Sequence, residues 1–340
     1  MNWLAVPCSA FSDHQDAWSK LNSDTMNLAF FEPAFVEALV THYFDGDETL
    51  VLAYKEDELQ LAGFFKNHGK GRWASVTPSQ CPLGLFLHAK STVDEHTVKH
   101  ICSQLPGKVV LLDMLQMDSK HTHFEPEARF EKMPYIISGN RPIADDFDAY
   151  FQSLGKNMRQ NYNKVINRAA RAEDILSWEK VDTAEDVRQA IVKYGELESK
   201  GWKGEVGTAI SPDNTQGRFY QQALSELAKQ GRACCWYYKI NKQIVAVDLC
   251  VQKDACLIIL KTTYDESFNK QSPALMLKIE MLKHYSLNMA QEGIANIEFY
   301  GKAMEWHKRL DSTLREIEHI SYYQNKVAKK VIKLIKKLRK

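Results

Sequence analysis

Apolar and polar positions follow two rhythms along these 340 residues. In the first half, apolar side chains over Pro33–His42 predict a helix. The apolar runs Thr49–Tyr54 and Leu59–Phe65, parted by the polar turn Lys55–Glu58, predict a hairpin-like pair of strands. Pro78, Pro82 and Gly84 mark Ser75–Leu87 as a loop leading into a short strand. Val109–Met114 and Tyr135–Ser138 are further strand candidates, and Asn140-Arg141-Pro142 reads as a boundary.

The second half is more regular. Met158, Tyr162, Val165 and Ala169 share one face of a helix expected over Lys156–Ala172, and Lys164, Arg168 and Arg171 occupy another. Helical patterns over Ala184–Ser199 and Gln216–Gln230 precede three β-like runs, Ala233–Ile240, Ile244–Gln252 and Cys256–Tyr264. The turns Asn241-Lys242 and Lys253-Asp254 join these into an antiparallel meander. A helix from Pro273 to Ala290, a strand over Ala295–Tyr300, a short helix over Ala303–Leu310 and a strand over Glu316–Tyr322 follow. A faint likeness of element order between the halves fits a duplicated domain.

Composition changes this picture little: 44% hydrophobic and 26% charged residues suit a globular chain, and the length suits two domains. No window approaches the ~18 uncharged apolar residues of a membrane span, and no signal peptide is visible, so a cytoplasmic protein is expected. Seven cysteines without a CxxC pair disfavour a disulfide framework and a zinc ribbon. His121 and His123 lack a third ligand nearby in sequence, so no metal is assigned.

Charge matters more. The net charge is +1, yet eight Lys or Arg and no acid lie in Lys326–Lys340, leaving 36 basic against 43 acidic residues in the body. That balance disfavours nucleic-acid binding by the whole surface. In the tail, Val327, Val331, Leu334 and Leu338 fall at helical spacing, which reads as an amphipathic cationic helix. It suits reversible contact with a membrane face or a partner protein, and equally a solvated terminal helix.

Candidate chemistry gathers after the meander. Ser272 is a good N-cap and Pro273 suits the first helical position. The backbone N–H groups of Ala274 and Leu275 then form a ready site for a phosphate, although an ordinary capped helix explains the same residues.

Several stretches carry a family likeness: Leu260-Lys261-Thr262-Thr263-Tyr264-Asp265-Glu266, Ser272-Pro273, Ile297-Glu298-Phe299-Tyr300-Gly301 and Glu305-Trp306-His307. Together with Leu197-Glu198-Ser199-Lys200-Gly201-Trp202-Lys203-Gly204 and Gly207-Thr208-Ala209-Ile210, they resemble the CelD-like branch of the GNAT acetyltransferase superfamily. The first half is similar to the accompanying domain through Phe30-Phe31-Glu32-Pro33 and Pro78-Ser79-Gln80-Cys81-Pro82-Leu83-Gly84. A distant likeness to the FemABX peptidoglycan aminoacyltransferases suggests that both halves share one fold, with the active site mainly in the second. Ala274 departs from the pattern, standing where relatives usually carry glycine.

The resemblance implies an α/β (α+β) protein of two tandem GNAT-like domains, each a mixed, mostly antiparallel sheet flanked by helices. Residues 1–145 would be the accessory domain, 146–325 the acyltransferase domain and 326–340 the basic tail. It also implies direct attack by an amine or hydroxyl on acyl-CoA, where Cys256–Tyr264 splays from Ala295–Tyr300. The acceptor would be a cell-envelope or exopolysaccharide precursor, small or linked to a glycan or lipid. Aminoacyl transfer from charged tRNA and a non-catalytic scaffold are the rival readings.

Near that cleft, Glu298 lies in an apolar strand, a setting that strengthens a carboxylate as a base. Asp248 shares a strand face with Ala246 and Cys250, and His307 suits proton transfer. Each also fits a plain structural or surface place. Tyr264 is a candidate donor to the leaving thiolate and Lys261 a candidate partner for a substrate anion. Glu198 and Trp202 are four apart, the loop Gly201–Gly207 could cover an acceptor, and Trp202 could stack on a sugar ring or on adenine. Ser272, Ala274 and Leu275 are the candidates for holding the cofactor.

Overall fold

A computed structural model describes residues 1–125, 127–201, 207–327 and 329–330. Two units emerge: Met1–Ile137 together with the stretch from Arg315, and Ser138–Leu314. The first runs β1 (Asn2–Pro7), α1 (Gln15–Asp24), α2 (Pro33–Tyr43), β2 (Thr49–Lys55), β3 (Glu58–Asn67), β4 (Arg72–Ser75), β5 (Phe86–His88) and β6 (Thr92–Val93). It continues through α3 (Glu95–Gln104), β7 (Leu111–Asp118), β8 (His123–Phe124) and the start of β9 (Phe130–Pro142). Its sheet is ordered β1-β2-β3-β4-β7 and closes with the last strand, Thr313–Tyr323. All these pairs are antiparallel except β4 with β7.

The helices here form for local reasons. Pro33 opens α2 at its first position, and that helix buries Phe35, Val36, Ala38 and Leu39. Asp94 caps α3 by accepting the Thr97 N–H at 2.7 Å.

The second unit begins with the end of β9 and adds α4 (Phe147–Ser153), α5 (Lys156–Ala172), β10 (Leu176–Val181), α6 (Ala184–Ser199) and α7 (Thr215–Lys229). Then come β11 (Ala233–Ile240), β12 (Gln243–Lys253), β13 (Cys256–Tyr264), α8 (Pro273–Leu287), α9 (Met289–Glu292), β14 (Asn296–Glu298) and α10 (Glu305–Arg309), before β15 (Thr313–Tyr323). The sheet order is β9-β14-β13-β12-β11-β10, with β13 and β14 its parallel pair. Trp236, Tyr238, Leu257, Ile279 and Tyr285 build the core on the α8 side.

Thr183 caps α6 and Asn214 caps α7 through their side chains. A Cβ at Gly195 would meet the Ile210 carbonyl at 2.3 Å, and one at Gly217 the Ser211 carbonyl at 1.8 Å. The Ile210–Ser211 backbone therefore packs against both helices, and only glycine admits it.

The series β1-α1-α2-β2-β3-β4-α3-β7, with β5 and β6 inserted before α3, recurs as β10-α6-α7-β11-β12-β13-α8-β14. The expected tandem α/β fold is thus present, each unit a mostly antiparallel sheet with helices. Three expected elements are shorter. The helix read over Ala303–Leu310 keeps Glu305–Arg309. The helix read to Ala290 stops at Leu287 and resumes as α9, which Gly293 ends in a left-handed conformation. The strand read over Ala295–Tyr300 keeps three residues, because Phe299–Gly301 forms a tight turn with the Gly301 N–H on the Phe299 carbonyl. Asn140, read as part of a boundary, lies in β9 and pairs with Glu298. Among the described residues no helix is long and apolar enough to cross a membrane. Of the tail read as an amphipathic helix, Val331, Leu334 and Leu338 lie outside the described residues.

Candidate active site

The parallel ladder between β13 and β14 has three rungs, ending at Ile258 opposite Glu298. Beyond it β13 runs on to Tyr264 while β14 stops, so a fork opens in the sheet. A bulge in β13 near Leu260, where the register against β12 shifts, adds local twist. In the fork lies a cavity of about 360 Å³ bordered by Thr262, Tyr264, Lys278 and Trp306 and by the start of α8 at Ser272–Leu275.

That helix start is unusual. Ser272 sits at φ 48°, ψ 49°, and its side chain makes no capping bond, contrary to the expected role. The cause lies upstream: the 3-10 turn Glu266–Gln271, started by Asp265 on the Ser267 N–H, delivers the chain in a left-handed conformation. Pro273 has no N–H to satisfy, and helical geometry leaves those of Ala274 and Leu275 without an intrahelical acceptor. With no acid in the first turn, the positive end of a 15-residue helix borders the cavity.

Beneath this cavity is a buried polar triangle. The Lys278 ammonium pairs with Asp248 Oδ2 and donates to Thr262 Oγ1 at 3.0 Å, and Thr262 donates to Asp248 Oδ1 at 2.7 Å. Asp248 is fully buried and Lys278 nearly so. Both oxygens of Asp248 are occupied, so it holds Lys278 and Thr262 in place. Lys278 escaped sequence reasoning, although a lysine between Leu277 and Ile279 in an apolar helix was a signal.

His307 is buried, stacked on Trp306 with ring centroids 3.5 Å apart and edge-on to Phe299. Its Nδ1 accepts the Met304 N–H at 2.8 Å. The amide can only donate, and its contact is shorter than the 3.3 Å from Nδ1 to the Met304 carbonyl, which favours the proton of the neutral ring on Nε2. Burial pushes this imidazole down to about 4 against the opposing pull of the Met304 carbonyl, 3.3 Å from Nδ1, and the Lys278 ammonium lowers it further. His307 is therefore neutral and a donor near pH 7. Glu298, fully buried, occupies the last rung of the fork.

The remaining candidates fall around this centre. Tyr264, about one-third exposed, borders both the main cavity and a neighbouring recess of about 150 Å³ shared with Glu198 and Gly201. Glu198 accepts the Tyr194 hydroxyl at 3.2 Å and the Ile210 N–H at 2.8 Å, which ties α6 to the returning loop. Lys261 donates to Gln216 at 3.0 Å and lies over the Tyr220 ring. Trp202 lies outside the described residues, as does most of the loop that carries it. Among the described residues, no three His, Cys, Asp or Glu side chains are grouped to hold a metal.

The model for an acetyltransferase (GNAT) domain matches residues 156–309. No curated protein matches the sequence. Among solved structures, FemX aligns over 98% of this chain and 100% of its own, with a TM-score of 0.59 and 11% identity. The C-terminal domain of a putative lysylphosphatidylglycerol synthetase from Agrobacterium fabrum aligns over 93% and 94%, with a TM-score of 0.54 and 12% identity. A protein of unknown function from Bacteroides thetaiotaomicron aligns over 92% and 97%, with a TM-score of 0.58 and 12% identity. These likenesses concern the fold.

Proposed function

We propose that this chain, whose residues 156–309 match the model for an acetyltransferase (GNAT) domain, moves an acyl group, acetyl first among them, from acyl-CoA to an amine or hydroxyl. The observation that carries this reading is the uncapped start of α8 facing the cavity at the sheet fork. The N–H groups of Ala274 and Leu275 would take the phosphates, beside Ser272.

Chemistry then follows from the residues at the fork. The acceptor nitrogen or oxygen attacks the thioester carbon, its proton passes to Glu298, the C–S bond breaks and the thiolate takes a proton from Tyr264. His307 donates through Nε2, and Asp248 acts through Lys278 and Thr262 as a positioning residue. Glu198 holds the loop bordering the acceptor side, where Lys261 and Trp202 would meet the acceptor. An acceptor from envelope or exopolysaccharide synthesis, met at the inner membrane face, is the reading that the CelD-like run of motifs favours.

Thermal unfolding with CoA, acetyl-CoA and longer acyl-CoAs tests the reading. A ligand at ~100 times its Kd stabilises the fold by about 2.7 kcal/mol. A shift with acyl-CoA, and loss of transfer in Glu298→Gln with that shift retained, is expected. No shift with any of them would turn the assignment toward aminoacyl transfer from charged tRNA or a scaffold.

A further inference from the structure

A different face of the second unit carries an unused cluster of charge. The helix α5 holds Lys156, Arg159, Lys164, Arg168 and Arg171 and no acid in 17 residues. It packs inward through Met158, Val165 and Ala169, with Tyr162 beside them, which fixes the opposite face outward. Of the 44 Lys and Arg residues, five lie here and eight in residues 326–340, and the other 31 are outnumbered by 43 acids.

Several surface lysines elsewhere have a counter-ion: Lys20 and Lys66, Lys99 and Lys229, Lys239 and Lys308 all pair with carboxylates. Lys164, Arg168 and Arg171 make no ion pair among the described residues. Instead they border, with Gln160, Asn163 and Asn167, an open recess of about 690 Å³. Guanidinium, ammonium and amide groups around such a recess are donors matched to phosphate oxygens.

We propose that this face of α5 docks the protein on an anionic lipid bilayer, with headgroup phosphates entering the recess. Two features favour a bilayer over a nucleic acid. The second basic stretch of the chain interleaves its cations with Val327, Val331, Leu334 and Leu338, apolar residues that a phosphodiester backbone does not use and a lipid surface does. The acidic remainder can face water when one face meets a membrane. This docking is independent of the transferase reading.

The test is co-sedimentation of the full chain with vesicles of pure phosphatidylcholine and of phosphatidylcholine with about 30% phosphatidylglycerol. Each cation near such a surface contributes about a five-fold factor. Lys164→Gln, Arg168→Gln and Arg171→Gln together should cut partitioning into the anionic vesicles about a hundred-fold, with unchanged thermal unfolding. Raised salt should weaken the wild type in the same direction. Equal binding to both vesicle types would overturn the proposal. So would loss confined to Lys333→Gln, Lys336→Gln and Lys337→Gln, or a homopolymeric RNA stripping the protein from vesicles at equal phosphate. Should the triple variant unfold, single variants each losing about five-fold would support the docking face, and single variants that partition like the wild type would overturn it.

Discussion

The two units repeat one order of elements and differ at the corresponding fork. In the second, β13 and β14 part after Ile258 and Glu298 and a cavity remains. In the first, β4 and β7 pair over Arg72–Ala74 and Leu111–Asp113, and the chain then fills the gap. Ser75 Oγ accepts the Leu115 N–H at 2.8 Å, and the Gly84 N–H donates to the Gln116 carbonyl at 3.2 Å. The helices differ in the same sense. Asp94 and Glu95 place carboxylates on the start of α3, where α8 offers bare N–H groups. A duplicated fold thus keeps its architecture in both copies and an open cavity beside an uncapped helix start in one.

Each unit also holds a buried carboxylate in an ion pair, Asp248 with Lys278 and Asp118 with Arg315. The largest effect is expected from Lys278→Met, which strands Asp248 and should cost about 3–5 kcal/mol in denaturant unfolding. The double variant Lys278→Met with Asp248→Leu should recover most of that stability. If it also kept full transfer activity, the pair would have no part in the site.

Next is Gly84→Ala. Its Cβ would meet the Leu115 carbonyl at 2.2 Å, so the first unit should lose about 3 kcal/mol while acyl-CoA binding persists. Loss of binding would mean that the sealed fork supports the open one.

A smaller effect is tied to pH. Burial holds His307 at about 4, below its unfolded value, and His121 in the first unit likewise. Their contribution is full above about pH 6.5 and falls as pH drops through 4, on the order of 2 kcal/mol each. Unfolding followed against pH should show His307→Gln flattening part of that slope, with the rest left to His121 and to His88 and His319, which burial also lowers.

The smallest effects concern the helix starts. Asp94→Ala should cost about 1 kcal/mol and leave ligand binding untouched. Ser272→Asp should weaken acyl-CoA binding about ten-fold in a titration without loss of stability. Equal binding would separate the start of α8 from the phosphates.

Much of this was legible in the sequence because period and caps agree over long stretches. Lys156–Ala172, Ala184–Ser199, Ala233–Ile240 and Cys256–Tyr264 form with the expected bounds. Short or polar elements gave weaker signals: β1 is mostly exposed, β10 is a charged edge strand, and α3 mixes His, Thr and Lys into its turns. The fork was legible through its family motifs. The Asp248–Lys278 pair was not, since the partners lie 30 positions apart and meet only when α8 covers β12. The Ser272 cap failed because residue preference does not report the left-handed backbone that the preceding turn imposes.

The last strand has a consequence for synthesis. Residues from Arg315 onward complete the first unit, and Arg315 is the cation that neutralises buried Asp118 through contacts of 2.8–3.0 Å. A nascent chain therefore holds every residue of Ser138–Leu314 before the N-terminal unit has its closing strand. The usual order of domain maturation on the ribosome is reversed here: the inner unit can settle first, and the outer one waits for its distant piece.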